Sequence, residues 1–248
     1  MSFGDYDKLF LHSDDRTSQR MLKQMEMYFS GGTILKGVEA NYNYSYDVEQ
    51  NDKSKRMRDV CQGADRMAAD QYGDIYTAKL KRFVGRKNVI CEVGILKGTG
   101  LCVWDTIFPK SQIIGLDLDT TVFLNNYSKL QQLGAFKDVE VNVDDSGFVG
   151  EERLNIFGFD QWDMQNSISL LERVLQTKKI NVCIDDGDHQ IIPQLRTLKA
   201  IIPHLGDEFV YFLEDIKSSK MAELKALVQN ECEDYIVTCY ENIITIEG

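Results

Sequence analysis

From about residue 78 to the C-terminus, short apolar runs alternate with stretches of helical period. Asn88–Val93, Gln112–Asp117, Leu154–Phe159, Ile180–Ile184 and Phe209–Leu213 are near-continuous apolar runs of strand length, the mark of strands buried on both faces. Tyr235–Tyr240 and Ile243–Ile246 read as a terminal antiparallel pair. Helices are predicted over 99–108, 120–133, 165–177, 190–203 and 219–230. Such alternation implies an α/β fold, doubly wound around a mainly parallel sheet of seven strands, the last two antiparallel. In open sheets of this kind ligands bind beyond the carboxyl ends of the strands.

Two segments break the rhythm. Residues 137–153 are long for a helix-to-strand connection, and they read as an inserted hairpin or a lid. Residues 1–60 form an N-terminal extension, helical and irregular, rich in Asp, Asn and Ser. A helix is predicted over 15–29, closed by Gly31-Gly32. The alternating Tyr42, Tyr44 and Tyr46 would line an acceptor pocket or pair subunits. Residues 61–248 then make the main domain.

Composition narrows the function. The chain has 248 residues, 43% of them hydrophobic, and a formal net charge of -11. An acidic surface argues against nucleic acid or an anionic membrane as partner, because a phosphate backbone has to be met by a basic one. The basic run at Lys53, Lys55, Arg56 and Arg58 reads as a solvated helix face. Six cysteines show no Cys-x-x-Cys pair, which fits a reducing interior. With no apolar stretch of membrane-spanning length and no signal-peptide pattern, a cytoplasmic protein is expected.

The candidate chemistry sits where strands end. The fourth run finishes in Asp185-Asp186-Gly187-Asp188-His189, and the fifth in Glu214-Asp215. Desolvating so many carboxylates costs several kcal/mol each unless a positive charge lies among them, so a divalent cation is implied. His189 is then placed to move a proton on whatever the cation holds. His12 and His204 have no such surroundings. Adjacent acids at the end of an extended strand point opposite ways, so either Asp185 or Asp186 supplies the first ligand.

A glycine loop, Glu92-Val-Gly94-Ile-Leu-Lys-Gly98-Thr99-Gly100, follows the first strand and opens a helix. Its spacing is not that of a dinucleotide site, and Glu92 would repel a pyrophosphate. A cofactor with an ammonium group and a ribose suits it better. Asp117, ending the second strand, lies where a ribose diol would be held. Asp160 ends the third, where an adenine amino group could be read.

Glu92–Gly100 together with Gly115–Asp119 resembles the class I S-adenosylmethionine-dependent methyltransferases, whose sheet is Rossmann-like. Ile184–His189 and Phe212–Asp215 resemble the metal-dependent sugar O-methyltransferases of the macrolide-tailoring type. So do Gly63-Ala-Asp65-Arg66 with Tyr72 and Tyr76, and Gly158-Phe-Asp160-Gln161. The resemblance spans roughly residues 60–248. It implies Glu92, Gly94 and Gly98 around the methionine moiety, with Thr99, Asp65 and Tyr72 in the same cofactor set. Asp117 would hold the ribose, and Asp160 with Gln161 would lie near adenine. Asp186, Glu214 and Asp215 would be the metal ligands and His189 the general base, acting with Asp186. All-oxygen ligation points to Mg²⁺, or to Mn²⁺. The implied acceptor is a sugar hydroxyl on a small molecule or glycan, and a homo-oligomer is compatible with the pattern. Three departures stand out: Asp188 occupies the position of a usual serine, Arg66 that of a usual lysine, and residues 1–60 and 137–153, where substrate selectivity would lie, have no counterpart in the family pattern.

Overall fold

The computed structural model describes residues 5–30, 66–67, 72–137, 139, 141–144, 147–150 and 153–248. Asp65, the tyrosine run and the basic run lie outside them. The chain divides into two compact units, one made of 1–85, 97–109 and 123–137 and the other of 86–96, 110–122 and 138–248.

The second unit holds the whole sheet. Its strands are β1 (Val89–Val93), β2 (Gln112–Asp117), β3 (Val141–Asp144), β4 (Gly147–Gly150), β5 (Leu154–Gly158), β6 (Ile180–Asp185), β7 (Leu205–Leu213), β8 (Ile236–Cys239) and β9 (Ile244–Glu247). Their order in space is β3-β4-β5-β2-β1-β6-β7-β9-β8. The five central strands are parallel, while β9 runs antiparallel to both β7 and β8. All seven expected strands are therefore present. The other two come from the 137–153 segment, where β3 and β4 form a hairpin that pairs antiparallel with β5.

Burial explains why these runs are strands. All five residues of β1 are buried, and the last five of β7 are too. One sheet face carries Cys91, Val93, Ile114, Leu116, Phe157, Cys183, Tyr211 and Leu213 into a core completed from three helices. These helices, numbered in chain order as α6 (Met164–Leu175), α7 (Ile191–Ile201) and α8 (Ser218–Glu231), supply Leu171, Leu175, Leu198, Ile201, Leu224 and Val228. Asp163 caps α6 by accepting from the Asn166 N–H at 3.2 Å, satisfying one of the donors a helix start leaves open. Pro193 sits in the first turn of α7, where a missing N–H removes no helix bond. Because the central strands are parallel, Val93, Asp117, Gly158, Asp185 and Leu213 all end at one edge.

The first unit is helical: α1 (Tyr6–His12), α2 (Asp15–Phe29), α3 (Gly73–Leu80), α4 (Thr99–Ile107) and most of α5 (Thr121–Gln132). Asp14 caps α2 through the Thr17 N–H at 2.7 Å. Trp104 is fully buried, stacks on Tyr76 with centroids 5.4 Å apart, and lies under the Arg66 guanidinium. The helix at 15–29 appears as expected, and α1 and α3 are additional to the elements read from the pattern. No helix among the described residues is long and apolar enough to cross a membrane.

Candidate active site at the carboxyl edge

The two adjacent acids at the end of β6 part company. Asp185 has no exposed surface. Its carboxyl accepts from Gln161 Nε2 at 2.9 Å, the Tyr211 hydroxyl at 3.3 Å and the Gly187 N–H at 3.4 Å. Burial lifts its pKa to about 7 against the pull of those three donors. Asp186 turns the other way. Its N–H donates to Val93 O at 2.9 Å, which fastens the loop to the end of β1. Its carboxylate meets His189 and Asp215 in a group whose ligand atoms all lie within 4.8 Å of one another. His189 Nε2 is 3.8 Å from Asp215 Oδ2, with both side chains about one-third exposed. Asp186 is thus the acid brought to the cluster, and Asp185 is an interior prop.

Asp215 takes a left-handed backbone conformation at φ +54, one that Asp tolerates better than most side chains. Glu214 is buried, and its backbone is held on both sides. Its N–H donates to Asp185 O and its carbonyl accepts from Gln194 Nε2, each at 3.0 Å. It is not among the clustered ligand atoms, whereas His189, expected as the base, is. His189 Nδ1 is shielded from solvent and has no hydrogen-bond partner among the described residues. Two carboxylates and an imidazole within 4.8 Å of one another stand slightly wider than the span of about 4.2 Å between ligand atoms on a small hard ion with bonds of about 2.1 Å, so a small inward shift of these side chains would let the acids hold a divalent cation beside the imidazole.

The glycine loop is built around the same corner. Gly94 donates to Leu116 O at 2.8 Å and sits at φ +84. A Cβ there would collide with the Asp186 carbonyl and the Gly187 Cα. The glycine therefore admits the close approach of the acid loop. Leu96 is exposed at φ +45, and its N–H donates to Asp117 Oδ2 at 2.9 Å. The Asp119 N–H takes the other oxygen at 2.9 Å. An ionised carboxylate has about four acceptor sites, so Asp117 retains capacity for a diol. Glu92 is buried in β1, in register with Gly115 and Ile184.

Asp160 is exposed, and its Oδ1 accepts from the Trp162 N–H at 2.8 Å. It lines a cavity of about 370 Å³ together with Gly158, Asn166, Ser167, Leu170 and Arg173. Gln161 is buried, and its amide is engaged within the protein, a different set of partners from the adenine ring that the resemblance implies. In the helical unit, Gly98 caps α4, Thr99 is buried with no hydrogen-bond partner for its Oγ1 among the described residues, and Tyr72 is a buried cap of α3.

Several residues around the site escaped the sequence reading. Gln194 and Thr197 are both buried on α7 and hold Glu214 O and Gln161 Nε2 respectively. Their signal is two polar residues three apart on a helix face otherwise apolar. Tyr211 offers none, being one more aromatic in a strand. Asp188 has a clear partner in Trp162, whose Nε1 donates to Asp188 Oδ2 at 2.9 Å.

No protein-family model matches the chain, and no curated protein matches it by sequence. Solved structures do. The MycE methyltransferase from the mycinamycin biosynthetic pathway, in complex with Mg and SAH, aligns with TM-score 0.52 and 17% identity over 71% of this chain and 49% of that one. The same enzyme with Mg, SAH and mycinamycin VI gives 0.52 and 15% over 83% and 64%. A second crystal form with Mg and SAH gives 0.51 and 15% over 83% and 61%. The chain spans between about half and just under two thirds of the length of those proteins. At this identity the likeness establishes the fold: a Rossmann-like α/β sheet with C-terminal antiparallel strands, as found in methyltransferases.

Proposed function

We propose that the chain is an S-adenosylmethionine-dependent O-methyltransferase that uses Mg²⁺ or Mn²⁺ and methylates a hydroxyl of a sugar. The observation that carries this reading is the gathering of Asp186, His189 and Asp215 at the carboxyl edge of the sheet. The fold, the acids at the ends of β1 and β2, and the SAH and Mg bound in the structurally similar MycE methyltransferase all favour it.

Asp186 and Asp215 would hold the cation, with Glu214 adjoining them. Bound there, it would supply Lewis acidity, bringing an acceptor hydroxyl nearer to ionisation. S-adenosylmethionine would supply an electrophilic methyl group. His189 takes the hydroxyl proton as the oxygen is methylated, and the neighbouring Asp215 carboxylate stabilises the imidazolium that results. Asp117 orients the ribose through its remaining lone pairs. The buried Asp185, Tyr211 and Gln194 keep the loops that carry these groups in place.

The test is methyl transfer from S-adenosylmethionine to a panel of nucleotide-linked and glycan-bound deoxysugars, with and without EDTA. Turnover lost in EDTA and restored by Mg²⁺ is the expected result. Full activity in excess EDTA would remove the metal, and S-adenosylhomocysteine binding without turnover on any sugar would remove the acceptor class.

A further inference from the structure

We infer that Gln161 is a positioning residue for the Asp186–His189 loop and that its side chain does not read a cofactor base; the inference rests on the role proposed for that loop. Gln161 is 8% exposed. Its Nε2 donates to Asp185 Oδ1 at 2.9 Å and to Thr197 Oγ1 at 2.8 Å. Its Oε1 accepts from the Asp188 N–H at 2.5 Å. Both amide protons and one lone pair are therefore committed, and the backbone donor at Asp188 fixes which end of the amide is oxygen.

The partners bracket the functional turn. Asp185 precedes Asp186, and Asp188 precedes His189, so one amide spans the segment that carries a cation ligand and the base. Gly187, between them, has no room for a Cβ because it would collide with Gln161 Oε1. The glycine in Asp-Asp-Gly-Asp-His is thus explained by the glutamine above it. Gln161 follows β5, and two strands, β2 and β1, separate β5 from β6 in the sheet. The contact therefore ties loops from non-adjacent strands. Trp162 adds a second tie through Asp188, and its carbonyl accepts from Arg196 at 2.8 Å.

A clamp of this kind acts through the geometry of the ligands it holds. Outer partners of metal ligands are worth about 10–100-fold in metal affinity when removed. The reciprocal exchange Q161E/D185N supplies a decisive control. In it the new amide on β6 can donate to the new carboxylate beyond β5, the Thr197 hydroxyl can donate to that carboxylate too, and the Asp188 N–H keeps an oxygen to bond. Q161E alone sets two carboxylates against each other in the interior.

The experiment measures Mn²⁺ binding by electron paramagnetic resonance, S-adenosylhomocysteine binding by calorimetry and the ring resonances of His189 by NMR. It compares the wild type, Q161L, Q161E and Q161E/D185N as full chains. Q161L and Q161E are expected to weaken Mn²⁺ binding by about 10–100-fold, to shift the His189 resonances and to leave S-adenosylhomocysteine affinity within about threefold. The exchange variant is expected to restore both. Wild-type Mn²⁺ affinity and unshifted His189 resonances in Q161L would overturn the inference, as would a loss confined to S-adenosylhomocysteine. If Q161L does not fold, failure of the exchange variant to recover what Q161E loses overturns it. Wild-type protein that binds no Mn²⁺ refutes the metal reading instead, and unshifted His189 resonances in Q161L would then dispose of the clamp as well.

Discussion

Two glycines with the same backbone angle separate local strain from the packing of the site. Gly94 lies at φ +84 and Gly85 at φ +80. A Cβ on Gly85 would have nothing within 4 Å, whereas one on Gly94 would run into the Asp186 carbonyl and Gly187. Gly85→Ala should therefore carry only the left-handed penalty of about 1–2 kcal/mol, partly offset by about 0.4–1 kcal/mol from a stiffer unfolded chain. Gly94→Ala carries the same terms plus overpacking of about 1–3 kcal/mol. The collision is with backbone, so no side chain can swing aside to relieve it. Relief requires the acid loop to move, breaking the bond from the Asp186 N–H to Val93 O. Equilibrium urea unfolding of both variants, each against wild type, measures the difference. Gly94→Ala is expected to be the less stable by about 1–3 kcal/mol and to bind Mn²⁺ more weakly, with Gly85→Ala binding it as wild type does. Equal stabilities would refute the close approach of the two loops.

His189→Ala should lower kcat by about 10²–10⁴-fold with S-adenosylhomocysteine affinity unchanged; if Mn²⁺ affinity falls as far as in Asp186→Asn, His189 is a ligand and not the base. Asp185 gives a pH signature in EDTA. Its pKa is raised from 3.8 to about 7 in the folded chain, so the folded state holds a proton that the unfolded chain releases. The stability this group contributes is fully present below the unfolded value and is lost as pH rises through the folded one, with a slope approaching about 1.4 kcal/mol per pH unit. Asp185→Asn should remove that decline, and parallel stability curves for the two proteins between pH 5 and 7 would show that Asp185 ionises normally.

Strands and their direction were legible because burial on both faces leaves continuous apolar runs, and β1 with VICEV is the plainest of them. The edge where chemistry collects followed from parallel strands and needed no further information. What the chain does not spell out is which way each strand-end acid points. Asp185 and Asp186 are identical in type and adjacent, yet one is an interior prop and the other meets His189 and Asp215. That choice is made by partners far away in sequence: Tyr211 from β7, and Gln161 from beyond β5.

The same reasoning accounts for Gln161 itself. A Gly-x-Asp-Gln segment at a strand end reads naturally as a cofactor contact, because exposed polar groups at that edge usually meet ligands. Its actual partners, Thr197 on α7 and the acids of the β6 loop, become visible only when helix and loop are packed. A buried amide with every proton committed is rigid, since freeing it would leave the donors at Gln161 and the Asp188 N–H unsatisfied at about 1–3 kcal/mol apiece. Glu214 is placed by the same logic, through Gln194 on the same helix face. The β7 loop is thus anchored to α7 directly by Gln194, and the β6 loop is anchored to it through Gln161 by Thr197, three residues further on. Substitution of Thr197 or Gln194 should therefore disturb the acid cluster without touching it, whereas their exposed neighbour Ile192, 53% accessible, should not.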